Sequence, residues 1–215
     1  MFNSYLGKVI YIFDDIDGFG DNLFERLIVT LPEDVQAKSN RFKQMIDKKL
    51  SLLGYCVLRF AMEKECGVKE FGISVSGSGK PFFSDDMLPF FNISHCKSGV
   101  VVALHSQEVG IDIEEKGSYS PELAQYVMSP NEVAWIEHSE DTQTAFTTLW
   151  TKKEAYYKCI GTGLKDDIKN ALLNVPKCMS FLSLCEHKDY VISICAKNLD
   201  RLCVKPIKVK VNDLL

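Results

Sequence analysis

The chain has 215 residues, 46% of them hydrophobic and 25% charged, with a formal net charge of −4, room for one large domain or two of about 100 residues each. No apolar run approaches the ~20 residues of a membrane-spanning helix, and Met1 to Lys8 lack the regions of a signal peptide, so a cytoplasmic protein is expected. The acidic balance exerts no global pull on nucleic acid, and any anion site has to be a local basic patch.

Lys8 to Phe13 reads as a first strand, ending in the acidic turn Asp14-Asp15-Ile16-Asp17-Gly18. That cluster starts like a calcium loop but lacks the later ligands and the closing Glu. Leu23 to Leu31 reads as helical, and Pro32 opens a second helix, with Pro-Glu-Asp suited to a first turn. From Asp47 to Cys66, Leu50, Leu53, Val57, Phe60 and Ala61 recur at three- and four-residue steps, as on a buried helix face. Lys38, Arg41, Lys43, Lys48 and Lys49 lie at or before its start; by themselves they read as a solvated basic face.

Gly67 closes that helix, and Phe71–Val75 is a strand. Ser76-Gly77-Ser78-Gly79-Lys80-Pro81 is a polar turn, not a Walker loop, although its glycines allow close backbone approach to a ligand. Phe90–His95 and Gly99–Leu104 read as strands. His95 stands alone, and its neighbours Ser94 and Lys97 make a polar strand end suited to anion contacts.

Val109-Gly110-Ile111-Asp112-Ile113-Glu114 follows. Strand alternation places Asp112 and Glu114 on one side, Ile111 and Ile113 on the other. Two carboxylates so close repel unless a cation or strong donors intervene, and hard oxygen ligands suit Mg²⁺. The plainer alternative is an edge strand with an acidic, solvated face. Beyond it come short helices at Pro121–Val127 and Pro130–His138, a longer one over Asp141–Ile160 ended by Gly161 and Gly163, and three strands: Phe181–Cys185, Tyr190–Ala196 and Leu202–Val211.

The α-β-β pattern occurs twice, before and after Ser106, so the fold class is α/β (α+β), as two mixed halves, 1–105 and 106–215. The cysteines (Cys56, Cys66, Cys96, Cys159, Cys178, Cys185, Cys195, Cys203) form no C-x-x-C pair, which argues against zinc and for reduced thiols packed as small hydrophobes.

On the long helix, Trp150, Glu154 and Lys158 recur at four-residue steps and share a face. Alone they read as a surface Glu–Lys pair beside a core Trp. Together, Gly110-Ile111-Asp112-x-Glu114 and Trp150-x-x-Lys153-Glu154-Ala155-x-x-Lys158 resemble the motifs of the 4′-phosphopantetheinyl transferases of the broad-specificity, surfactin-synthetase-activating type. Gly79-Lys80-Pro81 and Phe91-Asn92-Ile93-Ser94-His95 match in order and spacing, and the resemblance extends from about Leu31 to Lys165.

The resemblance implies a monomer of two similar halves related by a pseudo-two-fold axis, with coenzyme A in the cleft between them. It implies transfer of the phosphopantetheine arm to a serine of an apo acyl or peptidyl carrier protein, releasing 3′,5′-ADP. Asp112, Glu114 and Glu154 would hold Mg²⁺, or Mn²⁺, with Lys158 beside the pyrophosphate. Ser94, His95 and Lys80 would contact the nucleotide end, with Gly79, Lys80 and Pro81 near the adenine. Glu154, a metal-bound water or Glu132 would accept the serine proton.

The family's usual arginine for the 3′-phosphate is replaced here by Leu50; Lys48, Lys49 or Arg41 would substitute, and Lys38 matches a family lysine. Ser118–Trp135, with Tyr119, Tyr126, Val127, Met128 and Trp135, is the expected carrier surface; the alternative is that these residues are the core of two short helices. No nucleic-acid or membrane partner is expected. The carrier would belong to a fatty-acid, polyketide, siderophore or other peptide synthetase, with secondary-metabolite biosynthesis the expected setting. The competing functions are another Mg²⁺-dependent phosphoryl transferase and a non-catalytic module binding coenzyme A or carriers.

Overall fold

The computed structural model describes residues 9–117, 119–164, 167–199 and 205–215. Lys8, Ser118, Lys165, Cys203 and the start of the expected strand Leu202–Val211 lie outside them.

The first strand, β1 (Val9–Phe13), leads through the acidic turn into α1 (Asp21–Ile28), α2 (Glu33–Asn40) and the long α3 (Met45–Cys66). The apolar stripe expected on α3 is real: Leu50, Leu53, Val57 and Ala61 are all buried. Gly67 ends the helix at φ 67°, a left-handed conformation that glycine adopts without a Cβ clash. A small ribbon follows, β2 (Ile73–Val75) and β3 (Pro81–Phe83), joined by the Ser76–Lys80 turn. β3 had no sequence signature, being three residues that open with proline. Then come β4 (Phe90–Cys96), β5 (Gly99–His105) and β6 (Val109–Glu115).

The helices α4 (Pro121–Val127) and α5 (Pro130–Glu137) each start with a serine cap followed by proline. After α6 (Thr142–Ile160) the chain makes a 3₁₀ turn at Ile168–Asn170, then β7 (Met179–Leu184) and β8 (Tyr190–Lys197). The last expected strand is shorter and sits elsewhere. It is β9 (Ile207–Lys208), which pairs parallel with β1, and Val211 already belongs to a short helix, α7 (Val211–Leu214). Val209 and Leu214 pack into the core under α3, so this tail belongs spatially with the first half.

One sheet runs β4-β5-β1-β9 and another β6-β8-β7. Each contains three antiparallel strands in the order first, third, second, with a long helix inserted between the first and second. This repeated topology makes the protein mixed α/β. α3 covers one face of the first sheet, burying Tyr11, Phe13, Val102 and Leu104. The other face packs against the second sheet through Ile10, Ile12, Ile111, Ile113, Ile192 and Ile194. α6 then covers the far side of β6 and β8. The isoleucines of the acidic strand thus fill the space between the sheets, and its carboxylates turn toward α6.

Candidate active site

β4 and β6 are edge strands of different sheets, and the two edges meet. Asn92 Oδ1 on β4 accepts a hydrogen bond from the backbone N–H of Ile111 at 2.8 Å, standing in for a neighbouring strand. Two residues on, Ser94 Oγ donates to Asp112 Oδ1 at 2.8 Å. Asp112 is therefore only 2% exposed, which overturns the solvated-edge alternative at this position. Lys158 Nζ answers its charge, 2.5 Å from Asp112 Oδ1 and 2.9 Å from Ser94 Oγ.

Gly110 is what lets α6 come so near. A Cβ at Gly110 would lie 2.0 Å from the Ala155 carbonyl oxygen and 2.3 Å from the Cys159 nitrogen, both backbone atoms. Without one, the helix lies directly on β6 and sets Glu154 and Lys158 beside Asp112 and Glu114. Thr151 and Ser193 share a buried hydrogen bond at 2.7 Å that fastens the same helix to β8.

The carboxylates feel one another. Burial first, then the Asp112 and Glu154 charges, push Glu114 up to about 7, against the opposing pull of Lys158 and a hydrogen bond from Trp150. Burial and then Asp112 raise Glu154, again opposed by Lys158. Asp112 Oδ2 is buried and has no hydrogen-bond partner. An orphaned carboxylate oxygen beside two more carboxylates that resist ionising is a donor set that fits a hard dication. The set is open as it stands: among the described residues no three His, Cys, Asp or Glu side chains form a ready metal cage.

The shared face of α6 runs between two crevices. At the Lys158 end, a cavity of about 280 Å³ is lined by Gly79, Lys80, Pro81, Glu154 and Lys158. At the Trp150 end, one of about 340 Å³ is lined by Glu114, Gly117, Leu123, Phe146 and Trp150. Lys80 reaches across from the β2–β3 ribbon to donate to the Cys159 carbonyl at 2.9 Å, and pairs with Glu108. The Ser94, Gly79, Lys80, Pro81 and Lys158 of the sequence reading thus gather along one end of this seam.

Other expected residues divide. His95 is exposed; crowding of the ring and then the Lys158 charge hold its imidazole below the ordinary range, with Asp47 and Lys38 acting on it more weakly. Lys38 therefore belongs with His95. Arg41 is exposed at the end of α2. Lys49 is tied to Asp21 at 2.6 Å. Leu50, at the position of the expected arginine, is 3% exposed inside the α3 core.

Glu132 closes the α5 capping box on the Ser129 N–H and pairs at 2.8 Å with Lys153. Lys153 is fully buried, donating also to the carbonyls of Val127, Ile168 and Lys169. The expected carrier surface splits in the same way. Val127 and Met128 are core, and Tyr119 packs against them, whereas Tyr126 and Trp135 are 76% and 52% exposed.

Two residues stood in the quoted motifs without a role: Asn92, which joins β4 to β6, and Lys153, which anchors Glu132.

With this geometry in view, the comparisons are specific. Residues 108–198 match the family model described as the 4′-phosphopantetheinyl transferase superfamily. A 4′-phosphopantetheinyl transferase of Bacillus subtilis is 31% identical over 144 residues, 65% of this chain and 64% of that protein. The 4′-phosphopantetheinyl transferase gsp of Aneurinibacillus migulanus is 31% identical over 147 residues, 66% and 61% of the two chains. An L-aminoadipate-semialdehyde dehydrogenase-phosphopantetheinyl transferase of Saccharomyces cerevisiae is 30% identical over 158 residues, 67% and 58%. The matches span about three fifths of the length of these relatives.

Proposed function

We propose that this chain, which belongs to the 4′-phosphopantetheinyl transferase superfamily, moves the 4′-phosphopantetheine arm of coenzyme A onto a serine of an apo acyl or peptidyl carrier protein. The other product is 3′,5′-ADP. The observation that carries this reading is the convergence of Asp112 and Glu114 with Glu154 and Lys158 at the seam between the two sheets, each end of the shared helix face opening into a crevice.

The nucleotide end of coenzyme A enters the Lys80–Lys158 crevice, where Gly79 and Pro81 leave room for a flat base and Ser94 and His95 meet phosphate oxygens. The pantetheine arm and the carrier serine approach from the Trp150 side, with Tyr126 and Trp135 offering apolar contact to the carrier. Lys158 leaves Asp112 for the pyrophosphate and offsets the charge that grows as the serine oxygen attacks the β-phosphate. Glu154, its carboxylate raised by burial, accepts the serine proton. Mg²⁺ held by Asp112, Glu114 and Glu154 would supply Lewis-acid stabilisation of the phosphoryl oxygens. The protein acts as a monomer of two halves, 1–105 joined by the C-terminal tail and the remainder from 106, in the cytoplasm. A binding module would not need all four of these charged groups together, which favours the enzyme.

The test is to incubate the chain with Mg²⁺, coenzyme A and an apo-carrier, and weigh the intact carrier. A gain of one phosphopantetheine, lost with EDTA and with Asp112→Ala, is expected. No gain across fatty-acid and peptidyl carriers, despite measurable coenzyme A binding, would overturn the reading.

A further inference from the structure

Cys159 and Cys195 form a buried pair for which the transfer chemistry has no use. Cys159 lies in the last turn of α6, directly after Lys158, and Cys195 lies on β8 opposite Gly110. They are 2% and 0% exposed and pack together, with Ala155, in one small buried cluster. The contact has a structural cause. A Cβ on Gly110 would come within 2.9 Å of the Cys159 Cα, so bare glycine lets that Cα settle over β6, roughly one strand spacing (~4.8 Å) from β8.

The surroundings of Cys159 give this pair a consequence. Its Sγ donates to the Glu108 carbonyl at 3.4 Å, and its own carbonyl accepts from Lys80 Nζ at 2.9 Å, while Lys80 pairs with the Glu108 carboxylate. Its neighbour Lys158 holds Asp112. Cys159 therefore sits between the two lysines that line the Lys80–Lys158 crevice.

We propose that Cys159 and Cys195 are a modification site: a two-electron oxidant of the peroxide class joins them in a disulfide that draws the last turn of α6 onto β8, displaces Lys158 and Lys80, and stops transfer until a thiol reductant reopens it. The loss of transfer rests on the transferase reading; the cross-link does not.

The two sulfurs have different roles. The neighbouring Cys195 thiol and the Lys80 ammonium favour the Cys159 thiolate, while the Cys195 thiol is pushed up and keeps its proton. Cys159 attacks a peroxide oxygen, expels hydroxide and becomes a sulfenic acid. The Cys195 sulfur then attacks the Cys159 sulfur, forming the S–S bond, and the sulfenic oxygen leaves as water with the Cys195 proton. In sum, two thiols and one hydrogen peroxide give one disulfide and two waters. Bonded sulfurs stand roughly 2 Å apart, closer than any packing contact, and the bond ties the last turn of α6 to β8. Both thiols are buried, so reaction waits on opening of the helix end and is slower than at an exposed cysteine.

The full chain is incubated with hydrogen peroxide, alkylated and digested without reduction, and its peptides are weighed; transfer to an apo-carrier and melting temperature are followed in parallel. Expected are a Cys159–Cys195 cross-linked peptide, a higher melting temperature, and a turnover loss on the order of 100-fold, as for an ångström-scale misplacement, that dithiothreitol reverses. Cys159→Ser and Cys195→Ser should each abolish the cross-link and keep their turnover through the treatment, so one poorly folded variant does not decide the matter. A chain in which exposed Cys178 oxidises while Cys159 and Cys195 stay alkylatable overturns the proposal. So does a cross-link that leaves turnover unchanged. If the reduced chain modifies no carrier, the transferase reading is what fails, while the peptide map and melting temperature still decide the cross-link.

Discussion

Lys158 Nζ lies 2.5 Å from Asp112 Oδ1, on an acceptor it shares with the Ser94 hydroxyl. Asp112 is almost fully buried, and its other oxygen has no partner. Removing one member of a buried pair costs roughly 3–5 kcal/mol, reduced here to about 2–3 because Lys158 is 30% exposed. Lys158→Ala should therefore melt several degrees lower in EDTA, and Mg²⁺ should restore most of the loss by supplying the missing positive charge at Asp112. A melting temperature indifferent to Mg²⁺ in this variant would remove Asp112 from the metal site. Turnover should fall by about 100-fold or more even with Mg²⁺ present, because the growing phosphoryl charge loses its lysine.

Gly110→Ala tests how tightly α6 is set. The added methyl meets backbone atoms of Ala155 and Cys159, so the helix itself has to move. Overpacking of this kind costs about 1–3 kcal/mol, and an ångström of displacement at Glu154 and Lys158 costs on the order of 100-fold in turnover. The variant should stay folded in urea titrations at 25 °C while losing most of its transfer activity. Near-normal turnover would mean that this contact does not position the helix.

What could be read in the sequence was periodic or local. The alternation in Val109–Glu114 assigned the correct sides to Ile111, Ile113, Asp112 and Glu114, and the four-residue step gave Trp150, Glu154 and Lys158 one face. Caps such as Gly67 and Gly161 placed helix ends closely. What escaped was whatever depends on elements far apart in the chain. Asn92 gains its purpose only because β4 and β6 meet edge to edge. β9 is two residues long, too short for any period, and is held by β1 nearly two hundred residues earlier. Lys49 read as a free cation because its partner Asp21 sits on another helix. Lys153 had a place in a motif but no role, because the oxygens around it come from three other segments.

Those oxygens make Lys153 and Glu132 separable by experiment. Lys153→Met leaves the Glu132 carboxylate and three carbonyls without their donor, so a loss of roughly 3–5 kcal/mol is expected. Glu132→Gln keeps the volume and part of the cap while removing the charge. It should lower the melting temperature yet leave kcat within about threefold, since changes that spare the reacting groups act on stability. A collapse of kcat at an unchanged melting temperature would restore Glu132 as the base.

The 3′-phosphate grip is the remaining question, with Leu50 buried where an arginine is expected. Lys49 is already committed to Asp21, so Lys49→Ala should leave the KM for coenzyme A within about twofold, as expected for a change remote from bound substrate. Lys38 acts on His95 across the open end of the site, and His95→Gln or Lys38→Ala should raise that KM by roughly 10–100-fold, the loss of about one charge-assisted hydrogen bond. The sign of the pH effect follows from the imidazole. Its value in the free chain lies below the ordinary 6.5, so at pH 7 it is neutral, and a bound phosphate dianion favours its charged form. Binding should thus take up a proton, and the KM for coenzyme A should rise from about pH 6, where the phosphate still keeps much of its second charge, to pH 8. Calorimetry in buffers of different ionisation enthalpy measures that uptake directly. Uptake that persists undiminished in His95→Gln would assign it to another group and take His95 out of the phosphate site.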